Sequence, residues 1–123
     1  MTKTILVVDD SRTMRDMLRR TLEGAAYHVV DAVDGVDGLE KLDALTSLPA
    51  AIITDINMPR MDGYGFIDEV RSKKRDCRVP VLVLTTETSA EKKNRAKKAG
   101  ATGWIVKPFE PSVLISAIQR VTG

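Results

Sequence analysis

Five short apolar runs, each followed by a polar turn and a segment with helical spacing, organise the chain. Thr4-Ile5-Leu6-Val7-Val8 is β-branched and apolar, ends in Asp9-Asp10, and predicts a first strand. Ser11 then offers an N-cap, Met14, Met17, Leu18 and Leu22 recur at helical spacing, and Gly24 closes that helix. His28-Val29-Val30-Asp31-Ala32 predicts a second strand opened by a half-buried histidine, and an Asp34-Gly35 turn leads to a helix marked by Val36, Leu39 and Leu42. A third strand from Ala51 to Thr54 ends at Asp55, after which Pro59 and Gly63 turn the chain. The third helix, from about Gly63 to Lys73, carries Phe66, Ile67 and Val70 on one side. Pro80-Val81-Leu82-Val83-Leu84 enters a fourth strand that ends at Thr85-Thr86. A Lys-rich fourth helix, from about Ser89 to Ala99, has the weakest apolar stripe and is expected to pack least firmly. Gly100 and Gly103 bracket a loop before the fifth strand, Trp104-Ile105-Val106, which Lys107-Pro108 breaks. The last helix is expected to bury Val113, Leu114, Ala117, Ile118 and Val121.

Continuous apolar strands, as opposed to alternating ones, are covered on both faces. Strands alternating with helices therefore predict an α/β fold, a doubly wound parallel sheet with helices on both sides. A length of 123 residues suits one domain spanning 1–123. With 43% hydrophobic and 29% charged residues the chain is globular, not disordered. Only 4% of residues are aromatic, so Val, Leu, Ile, Ala and Met must build the core. Neither a membrane-length apolar stretch nor a signal-peptide pattern occurs, and a cytoplasmic location is expected.

Cys77 and His28 are the only residues of their kinds, which excludes an internal disulfide and cysteine- or histidine-cluster metal sites. Cys77 lies in a polar stretch and is read as incidental. Net charge is +2, but from Arg71 to Lys107 there are 11 Lys and Arg against Asp76, Glu87 and Glu91. That run reads as a solvated face suited to an acidic partner, with no nucleic-acid motif.

Chemistry enters at the strand ends, because ligands of open parallel sheets gather outside the carboxyl ends of the strands. Asp9 and Asp10 follow strand one, Asp55 strand three, Thr85 strand four and Lys107 strand five. Converging carboxylates repel unless a cation lies among them, and an all-oxygen donor set selects Mg²⁺ or a similar hard ion. A metal on one side and Lys107 on the other would hold a dianion, as phosphoryl transfer requires, with Asp55 as nucleophile. Each residue also has a duller reading: helix capping for Asp9-Asp10, a turn for Asp55, an ordinary strand position for Thr85, a surface position for Lys107. Four matching strand ends together outweigh these.

Val7-Val8-Asp9-Asp10-Ser11, the run Asp55-Ile56-Asn57-Met58-Pro59-Arg60-Met61-Asp62-Gly63, Leu84-Thr85-Thr86-Glu87 and Val106-Lys107-Pro108-Phe109 make the chain resemble a response-regulator receiver domain along nearly its whole length. The resemblance, and not the periodicity, implies a flavodoxin-like (βα)5 fold with strand order 2-1-3-4-5. It implies Asp55 as phosphoacceptor, Mg²⁺ held by Asp10, Asp55 and the Asn57 main-chain carbonyl, and Asp9 reaching the ion through water. Lys107 would pair with the phosphoryl group beside a cis peptide to Pro108, and Thr85 would draw the following loop inward. Asn57 and Glu87 match positions that influence water attack on the acyl phosphate. Trp104 stands where chemotaxis members usually carry tyrosine; it keeps the apolar bulk without the phenol hydroxyl, so a switching role and a packing role both stay open.

The first functional expectation is thus a monomeric phosphoacceptor switch that assists its own phosphorylation and dephosphorylation and is not an enzyme in the ordinary sense. It would receive its phosphoryl group from a sensor histidine kinase and signal through the face of helix four, strand five and helix five. There Lys92, Lys93, Lys97 and Lys98 suit an acidic segment of the kinase or of an effector such as the flagellar motor switch. A phosphorelay intermediate or phosphate sink, or a receiver cut from a larger transcription regulator, keeps the same chemistry. A haloacid-dehalogenase-like phosphatase would want Asp-x-Asp after the first strand, and a flavodoxin-like cofactor binder a Ser/Thr/Gly-rich loop; the chain has Asp9-Asp10-Ser11.

Overall fold

In the computed structural model, which describes residues 2–123, strands β1 (Thr4–Val8), β2 (His28–Ala32), β3 (Ala51–Thr54), β4 (Val81–Thr85) and β5 (Gly103–Val106) form one parallel sheet in the order β2-β1-β3-β4-β5. The crossovers are α1 (Arg12–Gly24), α2 (Gly35–Ala44), α3 (Gly63–Val70), α4 (Ala90–Ala99) and α5 (Pro111–Thr122). Among the described residues no helix is long and apolar enough to cross a membrane.

The continuous apolar runs have a simple consequence: alternate residues of each strand enter different cores. Leu6, Val8, Ile52, Val81 and Val83 pack under α2, α3 and α4 with Leu39, Phe66, Ile67 and Ala96. Ile5, Val7, Ile53, Leu82 and Leu84 pack on the other face with Leu18 and Leu22 of α1 and Leu114 and Ile118 of α5. Each fully buried aliphatic side chain contributes about 1.5–3 kcal/mol, so the central strands are the fixed frame of the molecule. α4 is the exception among the helices, since Ala96 is its one buried residue.

Side-chain caps start the helices where polar residues precede them. Ser11, Asp34, Asp62 and Ser89 accept from amides three residues on, so the expected Asp34-Gly35 turn is in fact the N-cap of α2. Gly24 ends α1, but the left-handed residue of that turn is Ala26, with φ 69°. β5 starts at Gly103, one residue earlier than expected.

Four expectations are corrected. α3 stops at Val70 and not near Lys73, because Ser72 to Asp76 offer no apolar residue and the chain turns, with Cys77 N donating to Val70 O. That turn carries Cys77 out of the polar stretch and into the core, where it is packed and 5% exposed. His28 is exposed, since β2 is an edge strand and only its backbone is engaged, donating to Lys3 O at 2.9 Å. Val113 is 51% exposed, one position off the Leu114/Ile118 stripe of α5, while Ala117 and Val121 pack only partly against the core.

Candidate functional site

Ladder hydrogen bonds continue one residue past the strands and thereby aim the polar side chains. Asp9 N donates to Ala32 O at 3.1 Å, Asp55 N to Val8 O at 3.0 Å and Lys107 N to Thr85 O at 2.8 Å. These three residues therefore leave the sheet at its carboxyl edge in register with one another. Gly63 lets the chain return close by: a Cβ there would meet the Asp55 carbonyl oxygen and Ile56.

One carboxylate oxygen from each of Asp9, Asp10 and Asp55 lies within 4.8 Å of the others, with Asp9 buried, Asp10 exposed and Asp55 between. Lys107 Nζ donates to Asp9 Oδ2 at 2.9 Å and to Asp55 Oδ2 at 3.0 Å. Ser11 N donates to Asp9 Oδ1, and Ile56 N to Asp55 Oδ1. Burial pushes the Asp9 carboxyl above its ordinary value, and the Ser11 and Lys107 hydrogen bonds only partly oppose this. Burial also pulls Lys107 down, yet its bonds to Asp9 and Asp55 outweigh that and hold the ammonium above its usual range. The cluster thus carries more negative charge than Lys107 compensates. Its donors are all carboxylate oxygens, and that set fits a hard divalent ion such as Mg²⁺.

The remaining expected residues lie on β4, β5 and the loops that follow β3, β4 and β5. Thr85 is fully buried, and its hydroxyl accepts from Glu87 N at 3.4 Å. Glu87 Oε1 accepts from Asn57 Nδ2 at 3.3 Å and pairs with Lys92 Nζ at 3.0 Å, which together hold its carboxyl below the usual range, Lys92 first. The Lys107–Pro108 peptide is cis. Trp104 stands half-buried on β5, packed against the α4-side core and lining a cavity of about 220 Å³ with Lys93, Lys97 and Thr102.

Other residues enter the site without having been singled out. Arg15 donates to the Asp9 carbonyl at 2.8 Å from the first turn of α1. Arg60 binds buried Asp34 with two hydrogen bonds. Periodicity gives no signal for either: Arg15 reaches back six residues from α1 to the end of β1, and Arg60 reaches 26 residues back to the start of α2; only the position of Arg60 inside the Asp55–Gly63 run hinted at the second.

The family model described as the response regulator receiver domain matches residues 5–119. The chain belongs to this family. Among the relatives of this receiver domain, the chemotaxis protein CheY1 of Helicobacter pylori is 42% identical over 119 residues, covering 97% of this chain and 96% of that protein. The structure of Vibrio cholerae chemotaxis protein CheY4 superposes with a TM-score of 0.90 at 45% identity, covering 98% of this chain and 99% of that one. The receiver domain of the Pseudomonas aeruginosa sensor histidine kinase PA1611, solved with a magnesium ion coordinated in its active site cleft, superposes with a TM-score of 0.89 at 26% identity, over 100% and 99% of the two chains. A receiver domain is a phosphoacceptor switch, not an enzyme of the ordinary turnover kind.

Proposed function

We propose that this receiver domain takes a phosphoryl group from a sensor histidine kinase onto Asp55 and signals through an altered surface, in chemotaxis. The observation that carries the reading is the bridge from Lys107 Nζ to both Asp9 and Asp55 within a three-carboxylate cluster. Asp10, Asp55 and the Asn57 carbonyl would hold Mg²⁺, with Asp9 acting through water. Mg²⁺, when bound, supplies positive charge to the phosphoryl oxygens.

The chain's own residues do the rest. An Asp55 carboxylate oxygen attacks the phosphorus of a phosphohistidine; the new O–P bond forms as the N–P bond breaks, and the departing imidazole takes up a proton from solvent. Lys107, already above its usual pKa, stays charged throughout and is positioned to follow the phosphoryl oxygens. Thr85, at the end of β4, offers a hydroxyl proton to the same group, and its bond to Glu87 N links that event to the loop before α4. Asn57 and Glu87, bonded to each other at the mouth of the site, would control water attack on the acyl phosphate, which frees phosphate and restores Asp55.

The proposed docking face is α4, β5 and α5, where exposed Lys92, Lys93, Lys97 and Lys98 suit an acidic segment of the kinase or of an effector such as the flagellar motor switch. The proposed setting is a cytoplasmic monomer. Acetyl phosphate with Mg²⁺ is expected to add one phosphoryl mass to the wild-type chain and none to Asp55→Asn, read by intact-mass analysis. Equal labelling of the two would overturn the assignment.

A further inference from the structure

The segment that follows Asp55 leaves the sheet at Ile56 and returns at Gly63, whose amide donates to the Ile56 carbonyl at 2.8 Å. Residues 57–62 bulge outward between these points, and Asn57 stands on the near side of the bulge. Two contacts tie its far side to the start of α2. Arg60 donates from Nε to Asp34 Oδ2 at 2.7 Å and from the Nη2 group to Asp34 Oδ1 at 3.1 Å. One residue on, Met61 O accepts from Gly35 N at 3.1 Å, and a Cβ on Gly35 would come within 2.7–2.9 Å of Met61 atoms.

Asp34 is a firm anchor: it is 3% exposed, and its Oδ1 also accepts from Asp37 N at 2.8 Å to cap α2. Arg60 has φ 63°, a left-handed conformation that a non-glycine residue holds only when its surroundings enforce it. The two-point guanidinium–carboxylate pair is the contact with the geometry to do so.

We propose that Arg60 is a positioning residue for the metal site: through Asp34 it fixes the loop that carries Asn57, so that losing it weakens Mg²⁺ binding although no ligand is removed. The inference rests on the metal reading above. Groups that orient metal ligands from outside typically change affinity by about 10- to 100-fold, and a clamp acting through three residues of loop belongs at the lower end, roughly tenfold.

Mg²⁺ titration by calorimetry of the wild type, Arg60→Ala, Arg60→Gly and Arg60→Lys tests this, beside amide hydrogen exchange of residues 57–61 in the metal-free proteins. Ala and Gly both lose the clamp, but only Gly relieves the backbone. Both are expected to bind Mg²⁺ about tenfold more weakly and to exchange faster at 57–61, with Lys in between because an ammonium makes one of the two bonds. Wild-type affinity and exchange in Arg60→Gly, with weakening only in Arg60→Ala, would mean that strain and not the clamp matters, and would overturn the proposal. Asp10→Asn is the separate control: a wild type that binds no Mg²⁺, or an Asp10→Asn that binds it undiminished, overturns the metal reading, and the exchange rates still decide whether Arg60 holds the loop.

Discussion

At the scale of single residues the cluster is held together by unequal partners. Asp9 is buried and its carboxyl is raised above the ordinary 3.8 by that burial, so the folded chain takes up its proton more readily than the unfolded one. Its contribution to stability is therefore present at low pH and is lost as pH rises through the folded value. At neutral pH the ionised carboxylate works against the fold, with Lys107 offsetting part of the cost. Asp9→Asn in metal-free protein is expected to raise the urea midpoint at pH 7 and to leave it nearly unchanged near pH 3, where the wild-type group is already protonated. Lys107→Met should do the reverse at pH 7. Breaking a buried ion pair costs about 3–5 kcal/mol, and a loss near the lower end, about 3 kcal/mol, is expected at this sheet edge. A Lys107→Met protein as stable as wild type would remove Lys107 from the electrostatic account. The acids and the lysine were legible in the sequence because each directly follows an apolar run. The Arg60–Asp34 pair was not, since 26 residues separate the partners and neither lies on a periodic stripe.

Among the elements, strands were easier to read than helix faces, for a physical reason. A strand covered on both sides reads as a near-continuous apolar run, and β1, β3 and β4 do, each with a single threonine at one end: Thr4, Thr54 and Thr85. Helix ends and faces depend on what packs against them, which is why α3 ended early and Val113 came out exposed. Weak packing of α4 was legible, and the structure shows what replaces an apolar stripe. Tyr64 donates its hydroxyl to Lys92 O at 3.3 Å, Arg95 lies 4.0 Å from the centre of the Tyr64 ring, and Arg71 donates to Gly100 O at the helix end. Such contacts are individually modest, and the crowded cations of α4 oppose them. α4 is expected to open locally at lower free energy than α5, so its amides should exchange first in a hydrogen-exchange mass spectrometry series. Equal protection of α4 and α5 would mean that the Tyr64 and Arg71 contacts anchor the helix as firmly as a buried stripe does.

On the scale of the whole molecule, one frame serves two opposed demands. The double-sided core is built here on an all-parallel sheet, and parallel strands bring every strand end to the same edge. The same topology that buries Ile5 to Val8 and Ala51 to Thr54 thus forces Asp9, Asp10 and Asp55 together, where they repel. A fold that must carry this charge is a fold whose global stability reports on what neutralises it. Under the metal reading, a ligand that binds only the folded chain stabilises it by RT ln(1 + [L]/Kd), about 1.4 kcal/mol at ten times Kd. For a domain of this size that corresponds to a rise in melting temperature of roughly 4–7 °C. Calorimetric melting of the wild type with and without Mg²⁺ should show this rise. Asp10→Asn should abolish it while leaving the metal-free melting temperature at or above the wild-type value, because Asp10 is exposed and its removal disturbs no core contact but relieves one like charge. A rise of the same size in Asp10→Asn would mean that Mg²⁺ acts elsewhere on the protein, and the strand-end cluster would lose its claim to the ion.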